Sequence, residues 1–169
     1  DTGPVGLVDH IPLGPDTTAG ELHDVMKETG AALLVRTLDG YAQGTIHPID
    51  QEKIIQETGI TTIQHAPKLF TETCRIHWNQ SAEAIYNLIR GLSPYPAAFT
   101  ALQGKKLKIF KAHLQLTQPT ILPGQIETDN KTYLRFAAAD GWIYLDELQL
   151  EGKKRMPIAD FLRGFRLEA

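Results

Sequence analysis

Five short runs of apolar, β-branched and aromatic residues follow one another at 97–102, 107–116, 124–128, 133–138 and 142–150. Turn-forming residues separate them at Gln103-Gly104, Leu122-Pro123-Gly124, Asp129-Asn130 and Asp140-Gly141. Their quick succession and their punctuation by glycine, proline and asparagine read as short strands joined by turns. Five short strands bury their apolar sides by curling into a small, closed or nearly closed barrel, of which the OB-fold is the common five-stranded case. Before them, Ala82, Ile85, Ile89 and Leu92 recur at helical spacing. Asn79 is a candidate cap for this helix, and Gly91 with Ser93-Pro94-Tyr95-Pro96 should stop it. A short helix over 158–165 completes the pattern.

The first 64 residues read differently. Asp1-Thr2-Gly3-Pro4 suggests a turn, and Val5, Leu7 and Val8 suggest a strand to about residue 11. Thr18 and Glu21 have the spacing of a capping box, and Leu22, Val25, Met26 and Leu33 predict a helix over 19–38, closed by Gly40 and Gly44. One strand and one helix cannot bury their apolar faces alone. The expectation is the tail of an α/β layer, in a chain that is a fragment of a longer protein. Residues 45–63, with His47-Pro48 and Gly59 but also Ile54, Ile55, Ile60 and Ile63, read as a linker lying along a surface.

The single cysteine, Cys74, permits no internal disulfide, and the first residues lack the basic start of a secretion signal. No apolar run reaches the roughly 20 residues that cross a bilayer. A reduced, cytoplasmic compartment and no membrane are expected. The six histidines show no spacing suited to zinc, so no metal is expected. Trp78 and Trp142 are read as core aromatics in preference to base-stacking rings, and Cys74 as a structural thiol.

Charge divides the chain. Residues 1–96 carry six Lys/Arg against twelve Asp/Glu, and residues 97–169 carry eleven against eight. A basic second half suits a polyanion. Lys105, Lys106, Lys108 and Lys111 edge the second strand of the expected barrel. If Leu107 and Ile109 point inward, Lys106 and Lys108 share the outer face. Lys153, Lys154 and Arg155, with Arg163 and Arg166, form a second group. Such residues hold RNA by neutralising phosphates, with little reading of sequence.

Several segments in order resemble the C-terminal region of methionyl-tRNA formyltransferases. They are His65-Ala66-Pro67-Lys68-Leu69, Arg75-Ile76-His77-Trp78 and Ile89-Arg90-Gly91-Leu92-Ser93-Pro94-Tyr95-Pro96. The run from Gln149 to Met156 and Asp160-Phe161-Leu162-Arg163-Gly164 resemble the family's closing segment. His77 stands where the family often has Asp, and Tyr95 where it often has Trp. Asp1-Thr2-Gly3 resembles the Asp-x-Gly motif of folate-dependent formyltransferases, and Ala19-Gly20-Glu21-Leu22-His23 the helix after it.

The resemblance implies an α+β fragment. Residues 1–44 would end a Rossmann-like formyltransferase domain, 45–63 would link, and 64–169 would form an OB-like tRNA-binding domain with flanking helices. It implies transfer of a formyl group from 10-formyltetrahydrofolate to the α-amino group of methionyl initiator tRNA. Asp1 is the implied catalytic aspartate, orienting a histidine. The family's Asn–His segment and most of the folate pocket have no counterpart here, so an isolated chain is expected to be inactive and to contribute tRNA binding. Two other readings stay open at this level. One is a sugar-nucleotide formyltransferase, whose C-terminal barrel helps bind a nucleotide sugar. The other is a non-enzymatic OB-fold module for single-stranded nucleic acid.

Overall fold

Helices and strands follow the chain as α1 (Ala19–Ala42), α2 (Gln51–Thr58), α3 (Ala82–Leu92), β1 (Ala98–Leu102), β2 (Lys105–Gln115), β3 (Ile126–Thr128), β4 (Leu134–Ala137), β5 (Trp142–Leu150), β6 (Met156–Pro157) and α4 (Ile158–Gly164). They are seen in a computed structural model that describes residues 3–63 and 65–166. Contacts divide it into two units. One holds the described residues up to Pro15 with Glu21–Lys68, and the other holds Asp16–Gly20 with those from Leu69 onward.

In the first unit, α1 runs past its expected end near residue 38. Thr45 N–H donates to the Gly40 carbonyl at 2.9 Å and Gly44 N–H to that of Tyr41 at 3.1 Å, the paired bonds of a Schellman stop. The stop needs a left-handed residue, and Gly44 supplies it at φ 67°. The strand expected over 5–11 does not form. Among the described residues Val5 makes one antiparallel bridge, with Ile49, through bonds of 2.9 and 3.0 Å, and its neighbours find no ladder partner. Within residues 45–63 lies α2, a helix that the linker reading missed, ended by Gly59 in the left-handed conformation.

In the second unit, α3 buries Ala82, Ile85, Ile89 and Leu92, the expected stripe. Its cap is Ser81 and not Asn79. The Ser81 hydroxyl accepts from Ala84 N–H at 3.2 Å, and the Asp140 carboxylate accepts from Ala82 N–H at 2.7 Å. All five expected strands form, wholly antiparallel, in the order β1-β2-β5-β4-β3, with β6 paired to β5. Leu107, Ile109, Leu134, Ile143, Leu148 and Leu150 share one core with α3. Each contributes about 1.5–3 kcal/mol through burial.

The sheet is curled into a half-barrel. Its edge strands β1 and β3, at opposite ends of the order, line one open cleft with Gln103, Ile121, Gly124, Gln125 and Phe136. Trp78 spans that seam, donating Nε1–H to Thr100 Oγ1 of β1 at 3.0 Å and stacking on Phe136 of β4 at 4.4 Å. Gly124, at φ 87°, leaves room for the indole, since a Cβ there would lie 3.3 Å from Trp78 Cδ1.

Candidate nucleic-acid interface

Leu107 and Ile109 are fully buried on the concave side, so Lys106 and Lys108 project together from the convex face. Strict alternation would then turn Lys111 inward. Instead the β2–β5 register shifts on both sides of Lys111, a β-bulge. Beyond it Ala112 is buried while Lys111 and His113 are exposed. Phe110 and Lys111 thus follow one another on the convex side.

Aromatic rings seat the cations there. Lys106 Nζ lies 4.6 Å and Arg75 Cζ 5.1 Å from the Phe99 ring centroid, and Arg155 Cζ lies 4.3 Å from that of Phe110. Arg155 also pairs with Glu147 at 2.5 Å, opposite Lys111 in the ladder. The hydrogen bond from Arg155, aided by the charges of Arg155 and Lys111, holds the Glu147 carboxyl below its usual range. Gln149, opposite Lys108, donates to the Lys153 carbonyl at 3.0 Å. Lys106 and Glu151 clip the same end, by Lys106 N–H to the Glu151 carboxylate at 3.0 Å and Glu151 N–H to the Lys106 carbonyl at 2.8 Å. The β5–β6 turn therefore brings exposed Lys153 and Lys154 to the end of the lysine-bearing face.

Lys106, Lys108, Lys111, Lys153, Lys154 and Arg155 thus gather into one strip. Lys105, in the opposite phase of β2, is exposed at its first residue. Arg163 pairs with Asp160 one turn earlier in α4, and Arg166 is exposed after that helix. Among the described residues no hydrogen bond or ion pair ties either arginine to the strip. Asp1 lies outside the described residues.

The other end of the convex face is closed upon itself. The Arg135 guanidinium lies 3.8 Å from the Trp142 ring centroid, donates to Glu127 at 2.5 Å and also bonds the Tyr144 hydroxyl. Tyr144 donates to Gln115 Oε1 at 2.9 Å and stacks on His113. Trp142 is covered and its ring is not offered to a base. Cys74 is buried, with its thiol toward the Phe70 carbonyl. Sequence reasoning missed Arg75 and the two phenylalanines under the cations. Arg75 stood within the recognised Arg75-Ile76-His77-Trp78 run, but nothing in one strand's alternation reveals a cation reaching it from another segment. Among the described residues no cluster of His, Cys, Asp or Glu could hold a metal, and no helix is long and apolar enough to cross a membrane.

Residues 68–166 match the family described as formyl transferase, C-terminal domain. The chain belongs to this family. The methionyl-tRNA formyltransferase of Phocaeicola vulgatus is 42% identical over 98% of the chain and 52% of its own length. The chain therefore spans about half the length of the curated relatives it matches. Among solved structures, a variant of HypX from Aquifex aeolicus superposes with a TM-score of 0.64 at 17% identity, covering 99% of this chain and 29% of that one. An N-formyltransferase of Helicobacter canadensis, solved with folinic acid and dTDP-3-aminofucose, superposes at 0.53 with 16% identity, over 86% and 48% of the two chains. At such identities these two likenesses concern the fold.

Proposed function

We propose that this chain is the tRNA-holding portion of a methionyl-tRNA formyltransferase. In the whole enzyme a formyl group passes from 10-formyltetrahydrofolate to the α-amino group of methionyl initiator tRNA. The observation that carries this reading is the convex strip, where Lys106 and Lys108 have no carboxylate partner among the described residues and Arg155 and Lys111 share one, Glu147. Such a strip suits a phosphate backbone and reads no bases. The names of relatives near 40% identity support tRNA as the polyanion.

In the same reading, residues 1–44 belong to the catalytic domain with Asp1 as its aspartate, 45–63 link, and 64–169 form an OB-type barrel. Lys105, Arg163 and Arg166 add charge outside the strip. A folate does not fit the cleft at the sheet seam. Its lining of Ala101, Leu102, Gln103, Ile121, Gly124, Gln125, Ile126 and Phe136 offers no cation to the two carboxylates of a folate tail. No step of the transfer is assigned to that cleft. These 169 residues by themselves are expected to bind tRNA without transferring formyl groups.

The test is a titration of the purified chain with methionylated initiator tRNA across a range of salt. Binding in the micromolar range or tighter that falls steeply with salt is expected, with Lys106→Glu plus Lys108→Glu weakening it about tenfold or more at low salt. Absence of binding at low salt would refute the assignment, and a nucleotide sugar in the same assay reports the other substrate class.

A further inference from the structure

We infer that Arg75 is a phosphate-contacting residue, held beside Lys106 by a shared aromatic ring, so that the RNA-binding strip crosses β1 and includes the segment that precedes α3. The inference rests on the RNA-binding reading above and adds a residue that the resemblance did not assign.

The geometry begins with the backbone. Arg75 forms a parallel bridge with Phe99, and Ile76 N–H donates to the Phe99 carbonyl at 2.8 Å. This clip fixes the Arg75 backbone along the free edge of β1. Phe99 sits directly opposite Lys108 in the β1–β2 ladder and diagonally from Lys106. Its ring is 5% exposed and carries Lys106 Nζ at 4.6 Å and Arg75 Cζ at 5.1 Å. Two like charges on one ring repel each other, and a phosphate between or beside them would relieve that repulsion.

The donors of Arg75 are suited to this. Its Nε bonds Glu72 at 3.2 Å, in an ion pair whose partners are 46% and 77% exposed. Exposed pairs of this kind are weak and exchange readily. Among the described residues neither terminal Nη has a hydrogen-bond partner, which leaves the fork that grips a phosphate with two parallel bonds. Lys106 supplies a point charge on the same ring. Phe99 therefore acts as a positioning residue for both cations.

The experiment repeats the salt titration with tRNA for Arg75→Gln, Arg75→Lys and Glu72→Gln, each checked for an unchanged thermal transition. Arg75→Gln should lower the slope of log K against log salt by about 1 and weaken binding several-fold. Arg75→Lys should restore the slope while recovering only part of the affinity, because a point charge replaces a fork. Glu72→Gln removes the competing acceptor and should tighten binding at low salt, a change of opposite sign that loss of folding cannot mimic. If wild type binds, and Lys106→Glu plus Lys108→Glu weakens it, unchanged slope and affinity in both Arg75→Gln and Glu72→Gln overturn this inference alone. If wild type shows no salt-dependent binding, the RNA-binding reading falls and this inference falls with it.

Discussion

Replacing Trp78 with phenylalanine keeps a ring against Phe136 but deletes the indole N–H that Thr100 accepts at 3.0 Å. Thr100 is 8% exposed, so its hydroxyl is left nearly dry without that donor. An orphaned buried polar group costs about 1–3 kcal/mol. Trp78 itself is partly exposed, so water can reach the vacated side, and the lower half of that range, about 1–2 kcal/mol, applies. Trp78→Ala also uncovers Phe136 and empties the slot beside Gly124, which raises the expected loss to about 3 kcal/mol. Urea unfolding followed by far-UV circular dichroism and by Trp142 fluorescence measures both changes. The midpoint should fall while the slope m stays constant. Thr100→Val completes a double-mutant cycle, and a coupling of about 1 kcal/mol with Trp78→Phe is expected. Additivity within about 0.3–0.5 kcal/mol would refute the claim that this bond ties the seam.

Three further outcomes follow from particular side chains. Glu147→Gln releases Arg155 and Lys111 from their shared carboxylate and should strengthen tRNA binding and steepen its salt dependence. The same carboxyl titrates below its usual range when folded, so its stabilising contribution is present above the unfolded value of about 4.3 and is lost as pH falls through the folded one. Melting temperature against pH should therefore fall less on the acid side in Glu147→Gln than in wild type. Asp129 accepts from Thr132 Oγ1 and from the backbone N–H groups of Lys131, Thr132 and Tyr133, bonds that depress its pKa. Carbon-13 NMR should find that carboxyl still charged where ordinary aspartates have protonated, and an ordinary titration would show the β3–β4 turn to be open. Burial and a 2.7 Å hydrogen bond to Asp16 push the Tyr86 hydroxyl up to about 12. Ultraviolet titration should therefore show a late-ionising tyrosine that Asp16→Asn brings to lower pH.

What could be read from the sequence was set by how local each determinant is. The strands announced themselves because alternation and turn residues are properties of neighbours in the chain, and the α3 stripe for the same reason. The strand over 5–11 failed because strand propensity needs a partner, and among the described residues only Ile49 pairs with Val5. Helix α2 had local signals, Asp50 before it and Gly59 after it, but only Ile54 and Ile55 as apolar residues within it. Its pattern therefore fell below the periodicity that reveals a helix. The α3 cap was misplaced by two residues. Ser81 is local, but its helper Asp140 arrives from 58 residues away and no window contains both. The likeness of the chain to formyltransferases was legible in ordered motifs. The ring seats under Arg75, Lys106 and Arg155 were not, because each joins residues from different strands or segments.

The bulge in β2 shows how core and surface depend on one another. Without it, a period of two would carry Lys111 to the concave side with Leu107 and Ile109, and would turn Ala112 and Leu114 outward. Burying an unpaired ammonium costs far more than a bulge. Placing the extra residue at Phe110–Lys111 lets both halves of β2 keep their apolar residues in the core. The same shift sends Phe110 outward, where it receives Arg155, and sets Lys111 opposite Glu147. The cationic strip on the convex face thus arises from a requirement of the core. The shift also explains why four lysines in a seven-residue stretch do not act as one group: Lys106, Lys108 and Lys111 reach the convex face, while Lys105 stays out of phase with them. Deleting Phe110 would remove the extra residue and leave plain alternation with Lys111 outward and Ala112 inward, but it would take away the ring that seats Arg155. Polyanion binding should then weaken while the apolar pattern of β2 persists, and Lys111→Ala should weaken binding and leave the thermal transition in place.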